Sequence, residues 1–241
     1  YNANIKNLVQ ALGIAEFARQ VEAELEHLKG GPATITQAEY DRVAACFEPP
    51  AYEKLPAIDE GFVRQQANSI PFARWVERNV RPHRVSGYAS VTLSLKKPGT
   101  APGDITSEQM DAAAKLADDY SFGELRVSHE QNLVLADVEQ RRLFDLWQEA
   151  KVAGFATPNI GLLTDMICCP GGDFCSLANA RSVPIADAIN AKFDDLDYLF
   201  DIGDISVNIS GCMNACGHHH VANIGILGVD KNSEEWYQIT L

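Results

Sequence analysis

Cys168-Cys169-Pro170-Gly171-Gly172-Asp173-Phe174-Cys175 is one half of the stretch that organises this chain, and Ser210-Gly211-Cys212-Met213-Asn214-Ala215-Cys216-Gly217 is the other. Between them they hold every cysteine except Cys46. With Cys169 as the first member, the pattern is C-x5-C followed by C-x3-C. Four thiolates delivered as two pairs can serve a zinc ion, a pair of disulfides or an iron–sulfur cluster.

Spacing weighs on the choice and leaves all three open. Structural zinc takes paired cysteines about two to four residues apart, in a knuckle closed around one ion. A gap containing Pro170, Gly171 and Gly172 makes a wider loop, better suited to a cluster. Disulfide frameworks belong to small, cysteine-dense scaffolds, which this chain is not. A cluster is the favoured reading.

At these residues the chain resembles the sulfite/nitrite reductase hemoproteins. The likeness is carried by C-x5-C, by Ser-Gly-Cys-Met-Asn-Ala-Cys-Gly, and by the segment from about Tyr88 that includes Gln131-Asn132-Leu133. The resemblance implies that Cys169, Cys175, Cys212 and Cys216 ligate a [4Fe–4S] cluster. It further implies that Cys216 bridges to the iron of a siroheme, and that Gln131 and Asn214 face that macrocycle. The implied activity is the six-electron reduction of sulfite to sulfide or nitrite to ammonia, in which coupled centres store and release electrons while the protein orients them. The implied partners are sulfite or nitrite, a flavoprotein reductase or ferredoxin as donor, and the N-terminal half of a longer parent. An electron-transfer module without siroheme and a non-catalytic zinc-binding interaction domain remain as alternatives.

Composition sets the outer bounds. The chain has 241 residues, 46% hydrophobic and 22% charged, which suits a globular protein with a sizeable core. No apolar run approaches the roughly 20 residues that span a bilayer, so no membrane is expected. Clustered cysteines in a chain with no visible secretory segment suggest the reducing cytoplasm. A net charge of −13 argues against nucleic acid and does not steer anions inward. The residues that bind the substrate anion are therefore expected outside this chain. Because it begins at Tyr1 and stops at Leu241 inside an apparent strand, it reads as a piece of a longer protein, inactive alone.

Working outward from the cysteines, we expect an α+β protein in three parts. Residues 1–60 read as a helical linker or arm. Apolar positions recur at helical spacing from Asn4 to Lys29, with Gly13 dividing them, and Thr36 with Glu39 caps a helix from Gln37 to Cys46. Cys46, on an apolar face, is expected to be buried. The proline-containing stretch from Phe47 to Pro71 reads as irregular. Residues 61–156 read as a ferredoxin-like split βαβ half-domain. Its strands are Tyr88–Leu95, Glu124–Ser128 and Leu133–Ala136. Its helices are one opened by the Thr106/Gln109 capping box and one over Gln140–Ala153, ended by Gly154.

Residues 157–241 read as a partial mixed α/β siroheme/iron–sulfur domain. It is expected to hold a helix from near Cys175 past Asn179, another from Pro184 to about Leu199, and a strand over Asp204–Ser210. Two further strands are expected around an Asp230–Ser233 turn. His218, His219 and His220 are expected to alternate as they enter a strand. Cys168 is expected to be a buried thiol and not a ligand. Arg64, Arg74, Arg78, Arg81 and Arg84 read as an interface or solvated surface.

Overall fold

A computed structural model describes residues 5–241. The expected helix start at Asn4 lies outside them. The chain divides into two compact units, residues 1–51 and 52–241.

In the first unit, α1 (Ile5–Leu12) and α2 (Ile14–Glu26) are separated at Gly13, whose φ of 77° stops one helix and lets the next begin. Helix α3 (Gln37–Ala45) opens on Thr36, whose hydroxyl accepts the Glu39 N–H. Cys46 corrects an expectation: it closes α3 as an exposed residue, with its thiol directed at the Arg42 carbonyl 3.6 Å away. Helix α3 buries none of its residues, so the apolar face has no core to enter.

The second unit has one helix inside the stretch expected to be irregular, Phe47 to Pro71, and another that starts at its end. Helix α4 (Glu60–Asn68) is capped by Asp59, whose carboxylate accepts the Phe62 N–H at 2.7 Å. Helix α5 (Ile70–Asn79) follows from the Ser69 cap. Pro71 does not break it, because a proline in the first turn removes an N–H that has no partner anyway.

Strands β1 (Val80–Pro82) and β2 (Tyr88–Leu93) then lead to α6 (Ser107–Tyr120), β3 (Arg126–Val127), β4 (Leu133–Glu139) and α7 (Leu143–Ala153). The sheet order is β1-β2-β4-β3, antiparallel throughout. Strands β2 and β3 run parallel to each other with β4 between them, which is the split βαβ arrangement. The capping box at Thr106 forms in both directions, and Gly154 ends α7 at φ 84°. Val91, Leu93, Leu135 and Val138 face α5, α6 and α7 in a core with Phe72, Trp75, Leu116, Leu143 and Leu146. The alternate positions, Ser90, Thr92, Val134 and Ala136, line cavities on the opposite face.

The second sheet comprises β5 (Ile167–Cys168), β6 (Val207–Ser210), β7 (Ile224–Lys231) and β8 (Glu234–Thr240), in that order. The first three strands are parallel, and β8 returns antiparallel through a tight turn at Asn232-Ser233, both at positive φ. Helices α8 (Val183–Lys192) and α9 (Leu196–Ile202) replace the one helix expected, breaking where the Asp195 carboxylate caps the second. Leu162, Met166, Ala186, Leu199, Ile209 and Ile226 form this sheet's core. Arg74 and Arg78 of α5 pair with Asp197 and Asp204 at 2.5 Å each and lie over the Phe200 ring, so two of the basic residues serve the packing of α5 against α9. Among the described residues, no helix is long and apolar enough to cross a membrane.

Candidate cysteine centre

The two cysteine loops leave the C-terminal ends of the adjacent parallel strands β5 and β6. Pairing with β6 continues one residue beyond β5, where the Cys169 N–H donates to the Ile209 carbonyl at 3.0 Å. The chain then turns at Gly171 (φ 58°) and returns at Ala180, whose carbonyl accepts the Gly172 N–H at 2.9 Å. The helix expected from Cys175 does not form. Only one turn closes there, because the Asn179 and Ala180 N–H groups donate to the Gly211 carbonyl, at 2.8 and 3.1 Å, instead of continuing a helical ladder. The first loop is thereby fastened to the second.

Glycine makes that fastening possible. A Cβ on Gly211 would stand 2.7 Å from both the Gly171 Cα and the Ala180 carbonyl oxygen. One on Gly217 would stand 2.1 Å from the Ile209 carbonyl oxygen. The Gly217 N–H instead donates to the Ser210 hydroxyl at 3.1 Å and draws the end of the second loop back onto β6.

The sulfurs sit in different surroundings. The Cys169 sulfur accepts the Gly211 N–H at 3.0 Å and lies 3.6 Å from the Ser182 hydroxyl. Cys168 is buried, as expected. Burial first, and the neighbouring Cys169 and Asp187 charges next, push its thiol up to about 12. Cys212 is buried, Cys175 is half-buried and Cys216 is exposed. All six cysteines are free thiols. The structure joins the two loops through Cys169 and Gly211. Among the described residues, however, no three histidine, cysteine or acidic side chains are grouped to hold a metal ion.

Gln131 lies in the turn between β3 and β4, at φ 59°. Its side-chain amide donates to the Cys168 carbonyl and accepts the Cys168 N–H, each at 2.9 Å. Asn214 falls in the second loop, beside Ala215 at φ 57°. The three histidines do not enter a strand. His218 is left-handed at φ 52° and His219–Val221 form a single 3-10 turn; burial, followed by the nearby His220 charge, lowers the His219 pKa.

Sequence reasoning missed a polar cavity of about 480 Å³ on the face of the first sheet turned away from its helices. Tyr52, His83, Arg84, Arg126 and Asp137 line it. Asp137 accepts the Tyr52 hydroxyl at 2.6 Å and lies 3.2 Å from His83 Nε2. A second cavity of about 400 Å³, lined by Arg81, Thr92, Asn132, Asp165 and Asn208, opens where the two sheets meet. The available signal was the alternation of small polar residues along β2.

Thiol donors on two joined loops are the chemistry that an iron–sulfur cluster takes. Four cysteines stand on two interlocked loops, and one sulfur already accepts a backbone N–H of the kind that tunes cluster thiolates. Residues 82–153 match the nitrite/sulfite reductase ferredoxin-like half domain. The ferredoxin–nitrite reductase of Synechococcus elongatus is 29% identical over 161 residues, covering 64% of this chain and 29% of that protein. A sulfite reductase [ferredoxin] 2 of Mycolicibacterium paratuberculosis is 26% identical over 166 residues, covering 64% of this chain and 30% of that protein. The chain therefore spans under a third of the length of these relatives. The solved structure of Mycobacterium tuberculosis NirA shares the fold, with a TM-score of 0.55 at 23% identity over 99% of this chain and 38% of that one. Residues 82–153 thus carry the nitrite/sulfite reductase ferredoxin-like half domain, and the chain as a whole is related to the nitrite and sulfite reductases.

Proposed function

We propose that this chain is part of a reductase that carries nitrite to ammonia or sulfite to sulfide, with Cys169, Cys175, Cys212 and Cys216 as ligands of a [4Fe–4S] cluster and Cys216 shared with a siroheme iron. The observation that carries the reading is the fastening of the two cysteine loops through Gly211, whose N–H binds the Cys169 sulfur while its carbonyl holds the first loop. When bound, the coupled cluster and siroheme supply the electron storage that a six-electron reduction needs.

The chain's own residues have distinct parts in this reading. Gln131 fixes the backbone at Cys168, one residue before the first ligand, and with Asn214 borders the cofactor. Arg84 and Arg126, with Arg81 beyond them, are cations on the open sheet face, suited to the carboxylates of a siroheme. Phe174, Leu177 and Met213 project from the cysteine loops and are 83%, 69% and 75% exposed. Apolar side chains placed around a water-sensitive centre suit a surface covered by the remaining N-terminal half of the parent. That half would also bring the basic residues for the substrate anion, which a chain at −13 supplies poorly.

The electron donor in this reading is ferredoxin, named in both relatives, or a flavoprotein reductase, and the compartment is a reducing one such as the cytoplasm. The visible spectrum of the full-length parent, with its iron and sulfide content, tests the assignment. We expect siroheme and cluster bands together, and loss of both with anion reduction in Cys216→Ser. A cluster spectrum alone would make the protein an electron-transfer module. A colourless protein with stoichiometric zinc would make it a zinc domain.

A further inference from the structure

The turn that carries Gln131 is held by a buried ion pair. Lys96, just beyond β2, has a side chain with no solvent exposure, and that of Asp165 is 6% exposed. The Lys96 ammonium donates to the Glu130 carbonyl at 2.6 Å and to Asp165 Oδ1 at 3.3 Å. Asp165 Oδ1 also accepts from the Asn132 amide at 2.9 Å, and its Oδ2 accepts the Gly161 N–H at 3.0 Å. Asn132 in turn accepts the Leu95 N–H at 3.0 Å. Every partner of Asp165 is a donor, so both of its oxygens are used as acceptors.

The residues on both sides of Gln131 are thus fixed, Glu130 by Lys96 and Asn132 by Asp165. Gln131 between them exchanges its two hydrogen bonds with Cys168. Buried ion pairs add little net stability over apolar residues of the same volume, whereas losing one partner is costly. Precise placement is what this pair supplies. Burial lowers the Lys96 pKa and the Asp165 carboxylate opposes that shift, and the pair reaches Cys168 through the Glu130 carbonyl and the Gln131 amide.

We infer that Lys96 and Asp165 are a positioning pair for the first cysteine pair: they lock the Gln131 turn against Cys168, and they set a fixed charge couple beside the group that Cys169 holds. The second half of this statement rests on the cluster assignment; the first half does not. Neither residue is a ligand. Both act through Gln131 and through their field.

The test uses the full-length parent and two single variants, Lys96→Met and Asp165→Asn, the second nearly isosteric with the native residue. Amide hydrogen exchange at Cys168 reads the positioning. It should quicken in both variants by about tenfold, the factor that one lost hydrogen bond of ~1.4 kcal/mol represents. A potentiometric titration, in which dithionite donates one electron to the cluster, reads the field. Lys96→Met leaves a buried carboxylate without its counter-charge and should lower the midpoint potential. Asp165→Asn removes the carboxylate and leaves Lys96, whose pKa burial already lowers, on the Glu130 carbonyl alone, and should raise it. The double variant Lys96→Met/Asp165→Leu should return the potential toward that of the parent.

Unchanged exchange at Cys168 would overturn the positioning role. Shifts of the same sign in both single variants would overturn the charge role, since simple loosening gives no opposed signs. A wild-type parent without iron and sulfide would sink the cluster assignment and the charge role with it, while the exchange measurement would still decide the positioning.

Discussion

Gln131 and Cys168 are 37 positions apart, yet they exchange two hydrogen bonds of 2.9 Å, the Gln131 amide satisfying both backbone groups of the residue that precedes the first proposed ligand. A side chain here does what a third strand would do beside β5, which is only two residues long. Replacing it tests both bonds separately. Gln131→Leu leaves the Cys168 N–H and carbonyl unpaired and should cost about 1–3 kcal/mol in urea unfolding. Gln131→Glu can still accept the N–H but sets a second oxygen against the Cys168 carbonyl, so its loss should differ from that of the leucine variant. Equal losses in the two variants would contradict the pairing.

Gly217 is required by space and not by its backbone angle. A Cβ there would meet the Ile209 carbonyl oxygen at 2.1 Å and its carbon at 2.8 Å, inside the core of the second sheet. Gly217→Ala should therefore destabilise the second sheet by at least the roughly 1–3 kcal/mol typical of overpacking, and shift the loop that ends at Cys216. By contrast, Gly161→Ala meets no atom within 4 Å and bears only the strain of its φ of 79°. Thermal unfolding of the two variants should place Gly217→Ala well below Gly161→Ala.

Two phenols couple folding to alkaline pH. Tyr120 donates to Glu149 Oε1 at 2.7 Å, and burial together with that carboxylate raises its pKa. Burial and Asp137 raise that of Tyr52 in the same way. A folded-state pKa above the unfolded value of about 10 means the folded chain holds the proton longer. The stabilisation is complete below about pH 10 and is lost as pH rises through the raised folded values. Urea unfolding measured from about pH 8 to 11 should show stability falling over the last unit, and Tyr120→Phe should flatten that fall. An identical alkaline slope in the variant would remove Tyr120 from the account.

Local signals in the sequence were legible where one residue determines one contact. Thr106 with Gln109, Thr36 with Glu39 and Gly154 each form the cap that their spacing predicts. Alternation along β2 and β4 likewise located the split βαβ unit. Misreadings arose where a distant partner decides. Asn179 and Ala180 are spent on Gly211 and so build no helix, and Pro71 sits in a first turn that the Ser69 cap defines. Lys96 and Asp165 are 69 positions apart, and no periodicity connects them. The cysteines were the plainest signal in the chain, but the N–H that distinguishes Cys169 from Cys168 comes from the other loop.

The isolated chain should not turn over. It offers one half-domain face and the cysteine loops, with apolar side chains exposed at Phe174, Leu177 and Met213 and an excess of negative charge. A macrocycle with eight carboxylates needs enclosure and basic partners beyond Arg81, Arg84 and Arg126. Reconstituted with siroheme, iron and sulfide and supplied with a strong chemical donor, the chain should bind little siroheme and reduce neither nitrite nor sulfite measurably. Turnover matching the parent's would show that one half suffices.

Cys168 and Cys169 are adjacent, and they face different surroundings, Cys168 buried and Cys169 half-buried against the second loop. Cys168 points into the core beside Met166 and Ile209; burial holds it as a thiol to about pH 12, and its sulfur meets the Cys169 carbonyl at 3.3 Å. Cys169 receives an N–H from Gly211 and stands near the Ser182 hydroxyl, where the turn at Gly171 and Gly172 packs against Ala180 and Ser182. The burial of Cys168 and the Gly211 contact at Cys169 favour the proposed C-x5-C register. In the full-length parent, Cys168→Ala should leave iron and sulfide at about four each per chain, at a cost limited to the lost packing of one small side chain. Cys169→Ala should lose most of both. The opposite result would move the first ligand back by one residue, make the spacing C-x6-C, and require the Gln131 turn to hold a ligand directly.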